Sequence, residues 1–154
     1  MSLVSRGQAA VEFAMISTLA LLVMLVGVQY AMIGQAALAV SQGASAIARY
    51  AAINPGTVGG ASGNGTLTLN GSTLQNLLSP AICGGSCSNL TATIASTSAT
   101  TGTANTASNP PAFGDQLTVT LNFDATGVLA LPRTFLGMVT FPTALSSKES
   151  QVYE

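Results

Sequence analysis

Glu12 stands five positions after Gly7, and beyond it no charged side chain occurs until Arg49. A carboxylate at the edge of so long an apolar run is costly, about 2.5 to 3.5 kcal/mol at the centre of a bilayer. Its presence calls for a partner that neutralises it. The residues before it suggest where that partner comes from. A secretory signal places an apolar stretch first and a small-residue cleavage site after it. Here the order is reversed: Arg6-Gly7 comes first and the apolar run follows. Cleavage after Gly7 would leave the apolar segment on the mature chain, free an amine on Gln8, and make Glu12 the fifth residue.

Two further sets of side chains invite chemistry. Cys83 and Cys87 enclose Gly84-Gly85-Ser86. If Arg6 and the leader hold the N-terminus inside, this loop lies outside the cytoplasmic membrane, where disulfides persist. The expected product is a structural Cys83–Cys87 disulfide worth about 2 kcal/mol in the chain-entropy picture. Metal binding and redox catalysis are the rival readings. A zinc site takes four ligands, and the chain has no histidine and no third cysteine.

The acids beyond Glu12 are Asp115, Asp124, Glu149 and Glu154. Asp115 and Asp124 could in principle act as a glycosidase pair or share a calcium ion; the plainer reading places them at strand ends and turns. Without histidine no Ser-His-Asp or Cys-His set exists, so the chain is not expected to be an enzyme or to need a cofactor or metal. Asn64, Asn70 and Asn89 each begin an Asn-x-Ser/Thr triplet. Such triplets are frequent by chance in Ser/Thr-rich sequence, and they mark possible glycosylation.

The elements that position these groups follow from pattern. Residues 13–34 are long enough to cross a bilayer, which takes about 20 residues, and the run from Leu19 to Val26 within them is apolar on every face. No proline occurs between Gln8 and Ile53, so one helix is expected to run through to about residue 53, ending before Asn54-Pro55-Gly56. Ala39 and Gly43, Ser41 and Ser45, and Ala44 and Ala48 lie four apart, a spacing that lets helices approach closely. The composition then shifts to Gly, Ser, Thr, Asn and Ala. Residues 66–72 read as a short strand or turn, 74–78 as a helical turn packed on the stem, 89–97 as a strand, and 98–109 as a surface loop.

The clearest strand is 116–123. Its alternation aims Leu117, Val119, Leu121 and Phe123 at the core and the threonines at solvent. Residues 128–137 read as irregular or a short helix. Residues 138–152 read as a closing strand, with Pro142 at an edge or bulge. The expected class is α+β: a long N-terminal hydrophobic helix followed by a small antiparallel β-rich domain with long Ser/Thr/Gly-rich loops. The expected divisions are a leader at 1–7, a membrane and assembly helix at 8–53, and an extracytoplasmic domain at 54–154. The formal net charge is −1 and no basic patch occurs, which argues against nucleic acid as a partner.

The motif Gly7-Gln8-Ala9-Ala10-Val11-Glu12-Phe13 is similar to the class III signal of type IV pilins, with Gln8 where an apolar residue is frequent. Together with the apolar run and 42–52 (Gln-Gly-Ala-Ser-Ala-Ile-Ala-Arg-Tyr-Ala-Ala), it resembles the TadE-like pseudopilins of tight-adherence (Flp-type) pili. Ile47 stands where that family usually has glycine.

The resemblance implies a prepilin peptidase cutting between Gly7 and Gln8, a pilus assembly platform, and a homo-oligomeric helical filament built through the N-terminal helix. Glu12 and Phe13 would serve assembly, the Glu12 carboxylate meeting the Gln8 amine of a neighbouring copy. The chain would sit in the cytoplasmic membrane as a precursor, N-terminus inside, and later in a surface filament. The alternatives are a minor or initiating pseudopilin of the same machinery and a single-span membrane-anchored binding or adhesin module; an exported enzyme ranks last.

Overall fold

In the computed structural model, the described residues are 3–53, 65–67, 78, 89–106, 108–127, 132–135 and 137–153. Cys83, Cys87, Asn64, Asn70 and Glu154, and the segments 68–72, 74–77 and 128–131, lie outside them. Helix α1 spans Leu3–Ile53, 51 residues without a break, or about 75 Å at 1.5 Å per residue. It therefore begins ahead of Gly7 rather than after it. The absence of proline and the dominance of alanine and leucine explain its continuity.

Among the described residues six strands follow: β1 Gly65–Leu67, β2 Leu90–Thr97, β3 Gln116–Asp124, β4 Thr134–Phe135, β5 Val139–Thr140 and β6 Ala144–Val152. A four-stranded sheet has the order β1-β2-β3-β6, antiparallel throughout. Strands β4 and β5 form a separate two-stranded hairpin. The α+β expectation holds, as does the inward face of β3: Leu117, Val119 and Leu121 are fully buried and Phe123 nearly so. Leu90, Ala92, Ile94 and Ser96 of β2 line the same face. The outward-facing Thr118 and Thr120 are half-buried, because strands on both sides crowd them.

The expected closing strand at 138–152 is broken. Its first residues pair back with β4, residues 141–143 interrupt the ladder, and only β6 joins the main sheet. Pro142, which has no N–H to donate, falls in that break. Over its described residues the loop at 98–109 is a hydrogen-bonded crossing, for example Asn105 N to Ser96 O at 2.9 Å.

The sheet lies on the C-terminal half of α1. Val40, Ala44, Ile47, Ala48, Ala51 and Ala52 form the buried stripe that meets it, at the three-and-four spacing of one helix face. The small side chains bring the helix close to the sheet. At Gly43 an added Cβ would lie 2.6 Å from Leu78 Cδ2 and 3.3 Å from Leu121 Cδ2. Gly43, Ala44 and Ala48, three of the small residues expected to bring separate helices together, are thus committed to the chain's own sheet.

Candidate functional site

Among the described residues, none covers the N-terminal half of α1 in this way. The sheet domain first touches the helix at Gln29, Tyr30 and Ile33: Gln29 is 1% exposed, Ile33 6%, and the Tyr30 and Phe141 rings meet at 5.3 Å between centroids. Below that level, from Gly7 to Val28, no residue is buried. Phe13, Ile16, Leu19, Val23 and Met24 all point outward. This bare stretch is about 33 Å long, close to the roughly 30 Å of a bilayer's hydrocarbon core. Gly7–Ile53 is apolar enough to cross a membrane, with a mean hydropathy of 2.3 in its most apolar window. A water-exposed surface of this kind is strongly unfavourable, so the stretch needs lipid or protein around it.

The groups flagged by the sequence sit at the foot of this stretch. Gly7, Gln8, Glu12 and Phe13 are all exposed. Gln8 and Glu12 are one helical turn apart, and the Gln8 side-chain amide donates to Glu12 Oε1 at 3.2 Å. The backbone nitrogen of Gln8 belongs to the same turn, so an amine freed there would start within reach of this carboxylate. The Gly7–Gln8 bond lies inside the helix. A glycine costs about 1 kcal/mol more than alanine in a helix interior, and a Cβ added at Gly7 would meet nothing within 4 Å.

The other candidates do not form a site. Asp115 and Asp124 stand at opposite ends of β3, about 30 Å apart along nine extended residues. That separation excludes both the glycosidase pair and the shared calcium. Among the described residues, no cluster of three or more His, Cys, Asp or Glu could hold a metal ion. Asp115 instead ties down the loop that precedes it. Its Oδ2 accepts from Ala112 N and from Asn105 Nδ2, both at 2.8 Å, and its Oδ1 accepts from Ala99 N at 2.9 Å. Those backbone bonds, followed by the Asn105 amide, hold its carboxyl below the usual carboxylate range. Asn105 Nδ2 also lies 2.8 Å from Ser96 Oγ.

Asp124 closes a turn by accepting from Thr126 N at 3.0 Å, which lowers its pKa as well. Asn89 is exposed at the start of β2 and lines a shallow depression of about 560 Å³ with Thr91, Asn122, Asp124 and Thr126.

Sequence reasoning missed two features of functional weight. One is the level at which the domain meets the helix, which depends on the Tyr30–Phe141 contact. The other is the hairpin that delivers Phe141. Phe141 and Tyr30 are ordinary aromatics in the sequence, and no pattern there links them.

No curated protein and no solved structure matches the chain. A family model does, and it covers the bare stretch and most of the sheet-bearing half of α1. The family is a structural one, and with the apolar helix the match points to a membrane-anchored component related to Tad pili. Over residues 7–49 the chain matches the family described as TadE-like protein.

Proposed function

We propose that this chain is a structural subunit of a Tad-type, type IV pilus-like filament and polymerises through α1. The observation that carries the reading is the bare 33 Å or so of helix below Gln29. In the precursor it spans the cytoplasmic membrane, with the sheet domain outside. A prepilin peptidase removes residues 1–7, and the assembly platform extracts the trimmed subunit. In the filament, neighbouring copies of the same stretch replace lipid around it.

Glu12 gives this exchange its register. A carboxylate surrounded by helices is costly unless paired, and removing one partner of a buried ion pair costs about 3 to 5 kcal/mol. The Gln8 amine of an adjacent copy is the pairing group. Residues 54–154 coat the outside. With charged residues only 6% of the chain, copies stack with little long-range repulsion.

Shearing filaments from cells and identifying their main protein tests the proposal. This chain as the dominant component, with Glu12→Ala abolishing filaments while leaving membrane insertion intact, is the expected result. The alternative is a minor or initiating pseudopilin of the same machinery. It predicts the chain at a few copies per filament, so the same preparation separates the two. A single-span anchored binding module would leave no filament and an untrimmed chain.

A further inference from the structure

The hairpin of β4 and β5 is the least explained part of the fold. It is separate from the main sheet, its strands are two residues each, and an isolated two-stranded hairpin is marginal in water. Its tip turns at Gly137, with φ 70°, and presents Met138 at 89% exposure. Phe135 and Val139 pair across it and are half-buried. Residues 132–143 include no acid and one cation, the exposed Arg133.

Its place along the helix gives the composition a meaning. Phe141 follows β5 directly, donates its N–H to Arg133 O at 2.9 Å, and packs on Tyr30. The hairpin is therefore fixed where the bare stretch of α1 ends. If that stretch fills a hydrocarbon core of about 30 Å, Tyr30 and the hairpin lie at the boundary between acyl chains and headgroups. Tyrosine and arginine suit that zone, the ring at the interface and the cation toward phosphates.

We propose that the β4–β5 hairpin is a second membrane-contacting element, which inserts Met138 into the leaflet that α1 leaves on the domain side. It would set the height and tilt of the sheet domain over the bilayer before assembly. The occupant is lipid, because Phe141 fixes the hairpin to Tyr30, at the domain-side end of the lipid-facing stretch of α1. This rests on the reading of α1 as a membrane anchor.

The chain has no tryptophan, so single-tryptophan variants report one position each. The full-length chain is reconstituted into phosphatidylcholine–phosphatidylglycerol vesicles whose acyl chains carry bromine either near the ester linkage or near the midplane. Leu21→Trp, inside the bare stretch two-thirds of the way from Gly7 to Val28, is the anchor control. Phe113→Trp, exposed at the opposite end of the sheet next to Gly114, which bonds Tyr153 O, is the aqueous control. Met138→Trp replaces a side chain already in the open and disturbs no packing.

The inference expects deep bromine to quench Leu21→Trp, shallow bromine to remove about half the emission of Met138→Trp, as suits a group in the outer 5–10 Å of the leaflet, and neither to affect Phe113→Trp. If Leu21→Trp is quenched while Met138→Trp matches the aqueous control, the hairpin faces water or protein and the inference falls with the anchor intact. If Leu21→Trp escapes both quenchers, the anchor reading falls and takes the inference with it.

Discussion

Gly43 tests how the helix meets the sheet. A methyl group at Gly43 would sit 2.6 Å from Leu78 Cδ2 and 3.3 Å from Leu121 Cδ2, against an optimum of about 3.5 to 4.0 Å between carbons. Both leucines are buried, so their tips have little room to retreat. Overpacking of this kind costs about 1 to 3 kcal/mol. Replacing glycine in a helix interior returns up to about 1 kcal/mol, so the net effect of Gly43→Ala is about 0 to 2 kcal/mol of destabilisation. Gly34→Ala provides the reference, because a Cβ there meets nothing within 4 Å. It keeps the propensity gain without the clash. The difference between the two variants isolates the packing cost at about 1 to 3 kcal/mol. Pulse proteolysis of the full-length chain in micelles across a urea series measures it, with cleavage in the sheet domain as the readout. Gly43→Ala at least as stable as Gly34→Ala would refute the close approach of α1 to β3.

Acid should weaken the sheet domain. Asp115 and Asp124 are held below the usual carboxylate range by hydrogen bonds to their charged forms. Their contribution is complete above the unfolded value, about 3.9, and is lost as pH falls through the folded values; a pH series of urea midpoints checks this. Asp115→Asn should blunt that acid response and speed hydrogen exchange at Ala99 and Ala112, whose N–H groups lose a charged acceptor. Gly7→Leu should block trimming and leave a longer precursor in the membrane fraction, seen as a shift on gels. Glu12→Ala should insert normally but yield few or no filaments; an unchanged yield by electron microscopy would remove the pairing role.

Much of the fold was legible because it rests on periodicity. The helix announces itself through an unbroken apolar run without proline, and β2 and β3 through strict alternation over eight or nine residues. Strands of two residues carry no such signal, so in the sequence β4 is indistinguishable from irregular chain and β5 from the start of one long closing strand. The small residues of α1 were legible as a packing surface but not as to its partner. Spacing of four permits close approach by any neighbour, and the leucines that use Gly43 come from β3 and from the distant Leu78.

The candidate site divides in the same way. Gly7, Gln8 and Glu12 follow from local spacing along one helix. The role of Asp115 depends on a loop folding back to offer Ala99, Asn105 and Ala112 to one carboxylate, and nothing in the spacing of those residues suggests that they converge. The separation of Asp115 from Asp124, by contrast, follows from β3 itself once the strand is recognised, since a strand holds its ends apart.

A filament of this kind requires that α1 be trimmed at Gly7 and then surrounded by copies of itself. Intact mass of the chain recovered from sheared surface filaments tests it most directly. A mass corresponding to a chain that begins at Gln8 is expected. A chain retaining residues 1–7, found in the membrane and missing from any filament, would contradict it.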